Sequence, residues 1–429
     1  MSPRPPMPQR VSELAEELRS VVGEDHIRSA TPQEAIDGVD PETVIEPGTS
    51  AEIGHVLEIA DGAGIGVIPR GGGTKLGWGN PPRCADLILS TARLNRVLEH
   101  AWADMTVTVE AGCTVAVLQR TLAQHGQRLA IDPLWPERAT IGGILAANDS
   151  GSLRLRFGSL RDLVIGITLA LADGTLARSG GKVVKNVAGY DLPKLATGSL
   201  GTLGVITEAV FRLHPLPRQS RVVSFEFSDS AALGTLLLKV LDSQLVCSGL
   251  QYRASSGENA HLDVGFEGTA EGIAAQVEKL VRMTRLEPAA DAGPQVWHIR
   301  EALAFWLGGD SALVAKFSAL PGDLGKVLER LVSLEQTHDL KWQMIAEGVG
   351  IGLLRLEATS EKLADIVLSL RTHLAGLGGS LAVLGCPAEK KSAINVWGSP
   401  ADSIELMRRI KRQLDPHGIL NPGRFVGGI

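Results

Sequence analysis

Apolar residues recur along this chain in two successive rhythms that change over at a proline-rich break near residue 217. In the first part, Val11, Leu14, Leu18 and Val21 are spaced as on one face of a helix, which predicts a leading helix over 11–22. A second helix is expected over 50–63, handing over to a short apolar strand at 65–69, with further strands at 86–90 and 106–110. Thr114 is placed to cap a helix ending near His125-Gly126, where glycine suits the left-handed position behind a helix. Asp191 is placed as another N-cap, with Pro193 tolerated in the first turn. This alternation is α/β in character.

Pro215-Leu216-Pro217-Arg218 interrupts the pattern and reads as a hinge. Beyond it, strands are predicted at 221–227, 249–254 and 261–266 with helices at 231–241 and 271–284. A second set follows, with strands at 312–318, 344–348, 351–358 and 380–384 and helices at 321–334 and 361–377. Two such sets predict an antiparallel sheet of ferredoxin-like units with helices on one face, and a last helix is expected over 401–413. The fold class is therefore α+β, divided into a lead-in (1–35), an α/β domain (36–217), a cap (218–400) and a closing helix and tail (401–429). No short-period repeat is visible, and no low-complexity stretch beyond the first ten residues.

Composition narrows the function classes. At 429 residues and 44% hydrophobic content, the chain can bury more than one core. A formal charge of −6 with both signs scattered offers no basic face for nucleic acid and no polybasic run for an anionic membrane. Cys84, Cys113, Cys247 and Cys386 stand far apart without C-x-x-C spacing, so no bound metal or iron–sulfur cluster is expected. Free cysteines, and a Pro- and Arg-rich start with no apolar stretch behind it, predict a reducing, cytoplasmic location. The longest apolar run, 163–172, is half of the roughly 20 residues a membrane-spanning helix needs, so no membrane span is expected.

Candidate chemistry centres on Arg70-Gly71-Gly72-Gly73-Thr74-Lys75, directly behind the 65–69 strand. Three consecutive glycines let the backbone turn with positive φ and bring successive N–H groups against a diphosphate. Alone, a triple glycine after a strand also serves as an ordinary loop. Two further glycine-bearing stretches lie downstream, Thr140-Ile141-Gly142-Gly143 and Gly198-Ser199-Leu200-Gly201-Thr202-Leu203-Gly204-Val205-Ile206, with Lys185-Asn186-Val187-Ala188-Gly189-Tyr190-Asp191 between them. In this order the segments resemble the FAD-binding (PCMH-type) domain of the vanillyl-alcohol oxidase and p-cresol methylhydroxylase superfamily, over about 36–217. The tail Asp415-Pro416-His417-Gly418-Ile419-Leu420-Asn421-Pro422-Gly423-Arg424 resembles that family's ending, and the chain is most similar to the FAD-binding E-subunit family of bacterial glycolate oxidases.

The resemblance implies an FAD domain of two α/β subdomains carrying a ferredoxin-like cap. It assigns Pro69, Arg70, Gly71, Gly72, Gly73, Thr74 and Lys75 to the pyrophosphate turn and Pro133, Thr140, Gly142 and Gly143 to a second wall. Gly204, Val205 and Ile206 would run along the adenosine, and Asn421, with Arg424, would close the pocket from the tail. Some members tether FAD through a histidine in this loop, where this chain has Thr74 and Lys75, so non-covalent FAD is expected. An NAD fingerprint, G-x-G-x-x-G followed by an acid about 20 residues later, does not fit the Gly71 region.

Oxidising a 2-hydroxy acid requires a cation for the carboxylate, a base for the hydroxyl proton and a flavin as hydride acceptor. The resemblance implies that catalytic members often hold a metal with a His-x-Gly-Asp-Gly-Asn-x-His segment in the cap. This chain has no such run, and at the position the resemblance suggests it has Gly378-Gly379-Ser380-Leu381-Ala382. That supports the E-type assignment and leaves the catalytic residues unassigned. His261, His298 and His373 are scattered, while Arg253, Arg300 and Arg355 suit either a carboxylate or an ordinary ion pair. Lys182 and Lys185 lie near Tyr190, and Trp297 and Trp306 read as cap core.

The expected function is an FAD-binding subunit of a glycolate or related 2-hydroxy-acid oxidase or dehydrogenase complex. Its partners would be a catalytic flavoprotein and an iron–sulfur subunit, which could place it peripherally at the inner membrane. A self-sufficient FAD-linked oxidase of a hydroxy acid or alcohol is the alternative, and the intact glycine loop argues against a scaffold that has lost FAD.

Overall fold

The computed structural model describes residues 10–182, 189–227, 230–286, 288, 290–304, 311–399 and 402–429. The expected 185–188 motif and Trp306 lie outside the described residues.

The first sheet has four strands in the order Ile27–Ser29, Thr43–Ile45, Leu87–Ser90, Val67–Arg70, with the last three parallel. The Ile27–Ser29 strand comes from the lead-in, which is thereby built into the sheet that carries the glycine loop. Helix Ser50–Ala63 packs behind it because Ile53, Val56, Leu57 and Ala60 fall on one face and are buried. Thr49 opens this helix by accepting from Glu52 N, and Gly64 closes it with φ 65°. The C-terminal tail adds to the open edge: Val67 N donates to Ile419 O at 2.8 Å and Asn421 N to Val67 O at 2.9 Å.

The second sheet has five antiparallel strands in the order Val97–Ala101, Thr106–Glu110, Val205–Arg212, Val164–Ala170, Leu176–Gly180. Only the 106–110 strand was predicted as one. The run Val164–Ala170 is almost wholly buried, so it lacks the alternation that marks a half-exposed strand.

Eight antiparallel strands form the cap sheet. Its first unit, Gln219–Phe227, Cys247–Ser255, Ala260–Gly268 and Ala290–Ala292, has the spatial order 4-1-3-2, and helices Ser230–Leu241 and Ala270–Thr284 are its crossovers. The second unit, Ala312–Ser318, Lys341–Glu347, Ile351–Glu357 and Ser380–Gly385, has the order 2-3-1-4, the same arrangement read backwards. The units join through Cys247–Ser255 and Lys341–Glu347. Their helices, including Leu324–His338 and Ser360–Gly376, bury one continuous core with Phe225, Phe266, Phe317 and Leu370 at its centre. The ferredoxin-like expectation is met, with one short edge strand at 290–292 that the sequence reading passed over.

Between the units, the chain crosses to the opposite face of the cap sheet as helix Ile299–Ala304 and meets the N-terminal sheets there. Arg128 and Glu267 make a bidentate bridge across this seam, with Nη1 to Oε1 at 2.9 Å and Nη2 to Oε2 at 2.5 Å.

Helix Ile404–Leu414 ends in a buried clamp. Lys411 Nζ donates to Thr202 O at 2.7 Å, to Leu420 O at 2.9 Å and to Asp415, whose carboxylate also accepts from Ile419 N and Leu420 N at 2.9 Å each. One ammonium thus ties the tail to the third glycine stretch. Lys411→Ala leaves Asp415 buried without its cation and should destabilise the fold by about 3–5 kcal/mol, read as a lower denaturant midpoint; a loss below about 1 kcal/mol, as for a surface pair, would contradict the clamp.

Candidate functional site

The loop after strand Val67–Arg70 is shaped by close contact rather than by freedom alone. A Cβ on Gly71 would stand 2.1 Å from Thr140 Oγ1, and one on Gly72 would stand 1.8 Å from Arg138 O. The loop is therefore wedged against the 138–140 segment, and Gly73 turns it at φ 71°. Arg424 holds the far side, with Nη2 donating to Trp78 O at 2.6 Å and to Leu76 O. Among the described residues, the backbone N–H groups of Gly72, Gly73, Thr74 and Lys75 donate to no protein acceptor. Four successive free amides border a cleft that is also lined by Pro69, Thr140, Gly143, Leu200, Asn421 and Arg424.

Burial lowers the Arg424 guanidinium to about 10, and its Nη1 is buried without a partner among the described residues. Asn421 donates from Nδ2 to Leu200 O, while its Oδ1 is likewise unpaired. Non-glycine residues with positive φ gather here too: Leu200 and Asn421 line the cleft and Trp135 its neighbouring recess, at φ between 43° and 53°. Such backbone persists where packing fixes it, and it clusters at ligand sites.

The second glycine stretch contributes differently. Thr140 caps helix Ile141–Ala147, but the amides of Ile141, Gly142 and Gly143 are taken by Cys113 O, Ala111 O and Thr140 Oγ1. Gly142 lets the helix approach Ala111, where a Cβ would come within 2.9 Å of the alanine Cβ. Gly204, Val205 and Ile206 open strand Val205–Arg212, and both apolar side chains are buried in cores instead of lining the cleft. From that stretch it is Leu200 and Gly201 that reach the site, Gly201 lying beside Pro69 and Asn421. Arg70 is held by Glu34 at 2.6 Å, and Glu34, shared with Arg28, sits well below the usual carboxylate range. Its charge is thereby spent on the lead-in.

Lys75 turns from the amides toward the seam. Its Nζ pairs with Asp149 at 2.9 Å and lies 5.8 Å and 5.6 Å from the ring centroids of Trp78 and Trp135. These indoles border a recess with Thr74, Ala304, Leu384 and Cys386. Pro133 lines a separate cavity of about 530 Å³ beyond the Pro133–Trp135 stretch, with Asp132, Ser152, Trp297 and Arg300.

The seam itself concentrates charge. Arg300, buried on the cap side, lies 3.2 Å from Glu347 and 3.9 Å from both Asp132 and Asp149. Burial raises the Asp132 carboxyl against the pull of Arg300, and raises Glu347 to about 7. Lys316 stands nearby with its ammonium weakened by burial, and its one protein acceptor among the described residues is Asn148 O at 3.5 Å. The sequence offered Arg300 only as one of three arginines, and passed over Lys316 and Glu347 because neither sits in a motif. Arg253 pairs with Asp263 at 2.7 Å and Arg355 with Glu357 at 2.8 Å. Lys182 pairs with Glu99, and His298, near Glu301, is mostly exposed. Among the described residues no group of three or more His, Cys, Asp or Glu side chains is placed to hold a metal, and no helix is long and apolar enough to cross a membrane.

Residues 41–180 match the family model for an FAD binding domain, and residues 394–425 match that for the C-terminal domain of FAD linked oxidases. The chain is 26% identical to glycolate oxidase subunit GlcD of Bacillus subtilis over 419 residues, covering 90% of this chain and 89% of the relative. It is 30% identical to the mitochondrial D-2-hydroxyglutarate dehydrogenase of Bos taurus over 426 residues, covering 89% and 76% respectively. In fold, it overlays p-cresol methylhydroxylase with a TM-score of 0.79 at 16% identity, covering 97% of each chain. The free amides of the glycine loop and the unpaired Arg424 Nη1 fit the diphosphate of the cofactor these matches imply. The chain is an FAD-dependent oxidoreductase and belongs to the FAD-linked oxidoreductase family that includes glycolate oxidase subunit GlcD and the D-2-hydroxyglutarate dehydrogenases.

Proposed function

We propose that this chain oxidises a small 2-hydroxy acid at the seam between the 36–217 domain and the 218–400 cap. FAD, bound without a covalent tether, would accept the hydride. Its diphosphate would be held by the Gly72–Lys75 amides and Arg424, and its flat ring end by the recess of Trp78, Trp135, Ala304 and Leu384. Arg300 and Lys316 would receive the substrate carboxylate. The observation that carries this reading is the under-used Lys316 ammonium, a cation stored at the seam with one weak acceptor. Glycolate and D-2-hydroxyglutarate, after the two relatives above, and D-lactate, after a D-lactate dehydrogenase of Archaeoglobus fulgidus that is 29% identical, are the acids to test first.

The missing His-x-Gly-Asp-Gly-Asn-x-His run supports the E-type role, as a cytoplasmic subunit that passes electrons to a catalytic flavoprotein and an iron–sulfur protein. The chain's own cations at the seam favour substrate oxidation within this subunit. Anaerobic titration of the FAD-loaded chain with each acid separates the readings. Bleaching of the flavin by the chain alone places the hydride transfer here, and bleaching only after partners are added places it in them.

Two variants test the sites. Lys316→Met removes a charged hydrogen bond of about 1.5–3 kcal/mol, so the acid should bind roughly 10- to 100-fold more weakly, measured by the same titration; unchanged affinity would contradict the assignment. Gly72→Val drives a side chain into Arg138 O and should cut FAD affinity by at least roughly tenfold, about 1.4 kcal/mol, with the cap still folded. Flavin absorbance after reconstitution reports it, and wild-type occupancy would show that the loop does not hold FAD.

A further inference from the structure

Glu347 ends strand Lys341–Glu347, where the cap faces the N-terminal sheets, and it is 6% exposed. Its Oε1 accepts from Arg300 Nη1 at 3.2 Å, while its Oε2 is buried with no partner among the described residues. Buried carboxylate oxygens are rarely left unmatched, so an orphan oxygen beside two cations marks a place for a donor that arrives with a ligand. The groups facing Glu347 are Arg300, Asp132, Arg154 and Lys316, with Asp149 behind Arg300.

We propose that Glu347 is the base that takes the hydroxyl proton of the 2-hydroxy acid. This rests on the reading that the acid's carboxylate lies on Arg300 and Lys316. With the carboxylate there, the adjacent hydroxyl becomes the donor that Oε2 lacks. As the O–H bond breaks, its proton would pass to Oε2, and FAD bound at the seam would supply the acceptor for the hydrogen that leaves carbon with its C–H electron pair as hydride. The oxygen keeps the O–H electron pair and closes the new C=O bond of the 2-oxo acid, and the Glu347 proton later returns to solvent. Charge and electrons balance without a further reactant.

The other carboxylates of the seam are occupied. Asp132 accepts from Gly151 N, Ser152 Oγ and Leu153 N, and Asp149 accepts from Leu134 N and pairs with Lys75. His298 is turned to Glu301 at the surface, and His261 and His373 lie elsewhere in the cap. A base that titrates at about 7 is half ionised near neutrality, which suits proton transfer in both directions.

The test is single-turnover reduction of the FAD-loaded chain by glycolate, D-lactate or D-2-hydroxyglutarate, with oxalate binding followed by perturbation of the flavin spectrum. Because the base must be unprotonated, the wild-type reduction rate should rise with pH through about 7. Glu347→Gln keeps the acceptor for Arg300 and should bind FAD and oxalate within roughly threefold of wild type. It should reduce its flavin about 10²- to 10⁴-fold more slowly and lose the rise near 7. Glu347→Asp should be slow yet keep a rise with pH, which a purely structural role would not produce. A Glu347→Gln protein that reduces at the wild-type rate with the same pH profile overturns this proposal alone. Wild-type protein that neither binds oxalate nor is reduced by any of the acids overturns the carboxylate reading as well.

Discussion

Backbone amides must find acceptors, and the arrangement around the glycine loop depends on four that find none among the described residues. Gly72 and Gly73 are exposed in the cleft, so their N–H groups are free to be solvated until a ligand takes them. The loop cannot relax by folding back. Gly71 and Gly72 are pressed against Thr140 and Arg138, and Arg424 has drawn the Leu76 and Trp78 carbonyls to the opposite side. Carbonyls are consumed by the tail, and amides are left for an anion. The tail's own position follows from its pairing beside Val67 and from the Lys411 clamp, so the closing segment of the chain is part of the frame of this candidate site.

The seam obeys the opposite economy. Lys75, Arg300 and Lys316 face Asp132, Asp149 and Glu347 where water is scarce, and burying such charges is favourable only when each is matched. Most are. Two groups are under-matched, the Lys316 ammonium and the second oxygen of Glu347, one donor and one acceptor within electrostatic reach of each other and of Arg300. A 2-hydroxy acid supplies the complementary pair, a carboxylate and a hydroxyl. The apolar contacts of Leu134, Leu303, Ile345 and Leu384 beside this cluster keep the local dielectric low, which strengthens each electrostatic contact made there.

The sequence made the fold legible where surface and core alternate and where caps are explicit. Helix Ser50–Ala63, the Thr114 and Asp191 caps and every long cap element appear where their patterns place them. Strands such as Val164–Ala170 escaped because both faces are buried and the period-two signal vanishes. The glycine loop stood out in the sequence as a candidate diphosphate cradle because glycine's conformational freedom leaves a mark in one short segment. The roles of Gly142 and Gly204 were harder to read, since a glycine needed for helix or strand packing looks the same in sequence as one needed for a ligand. Lys316 and Glu347 were illegible for a different reason. They are solitary charges on cap strands, and only tertiary structure brings them beside Arg300 and Asp149.

The most direct test of this account is a crystal structure of the FAD-loaded protein. Diphosphate oxygens are expected within hydrogen-bonding distance, about 2.7–3.2 Å, of the amides of Gly72, Gly73, Thr74 or Lys75, with Arg424 Nη1 as a further donor. A diphosphate bound elsewhere, with these amides still unpaired, would contradict it.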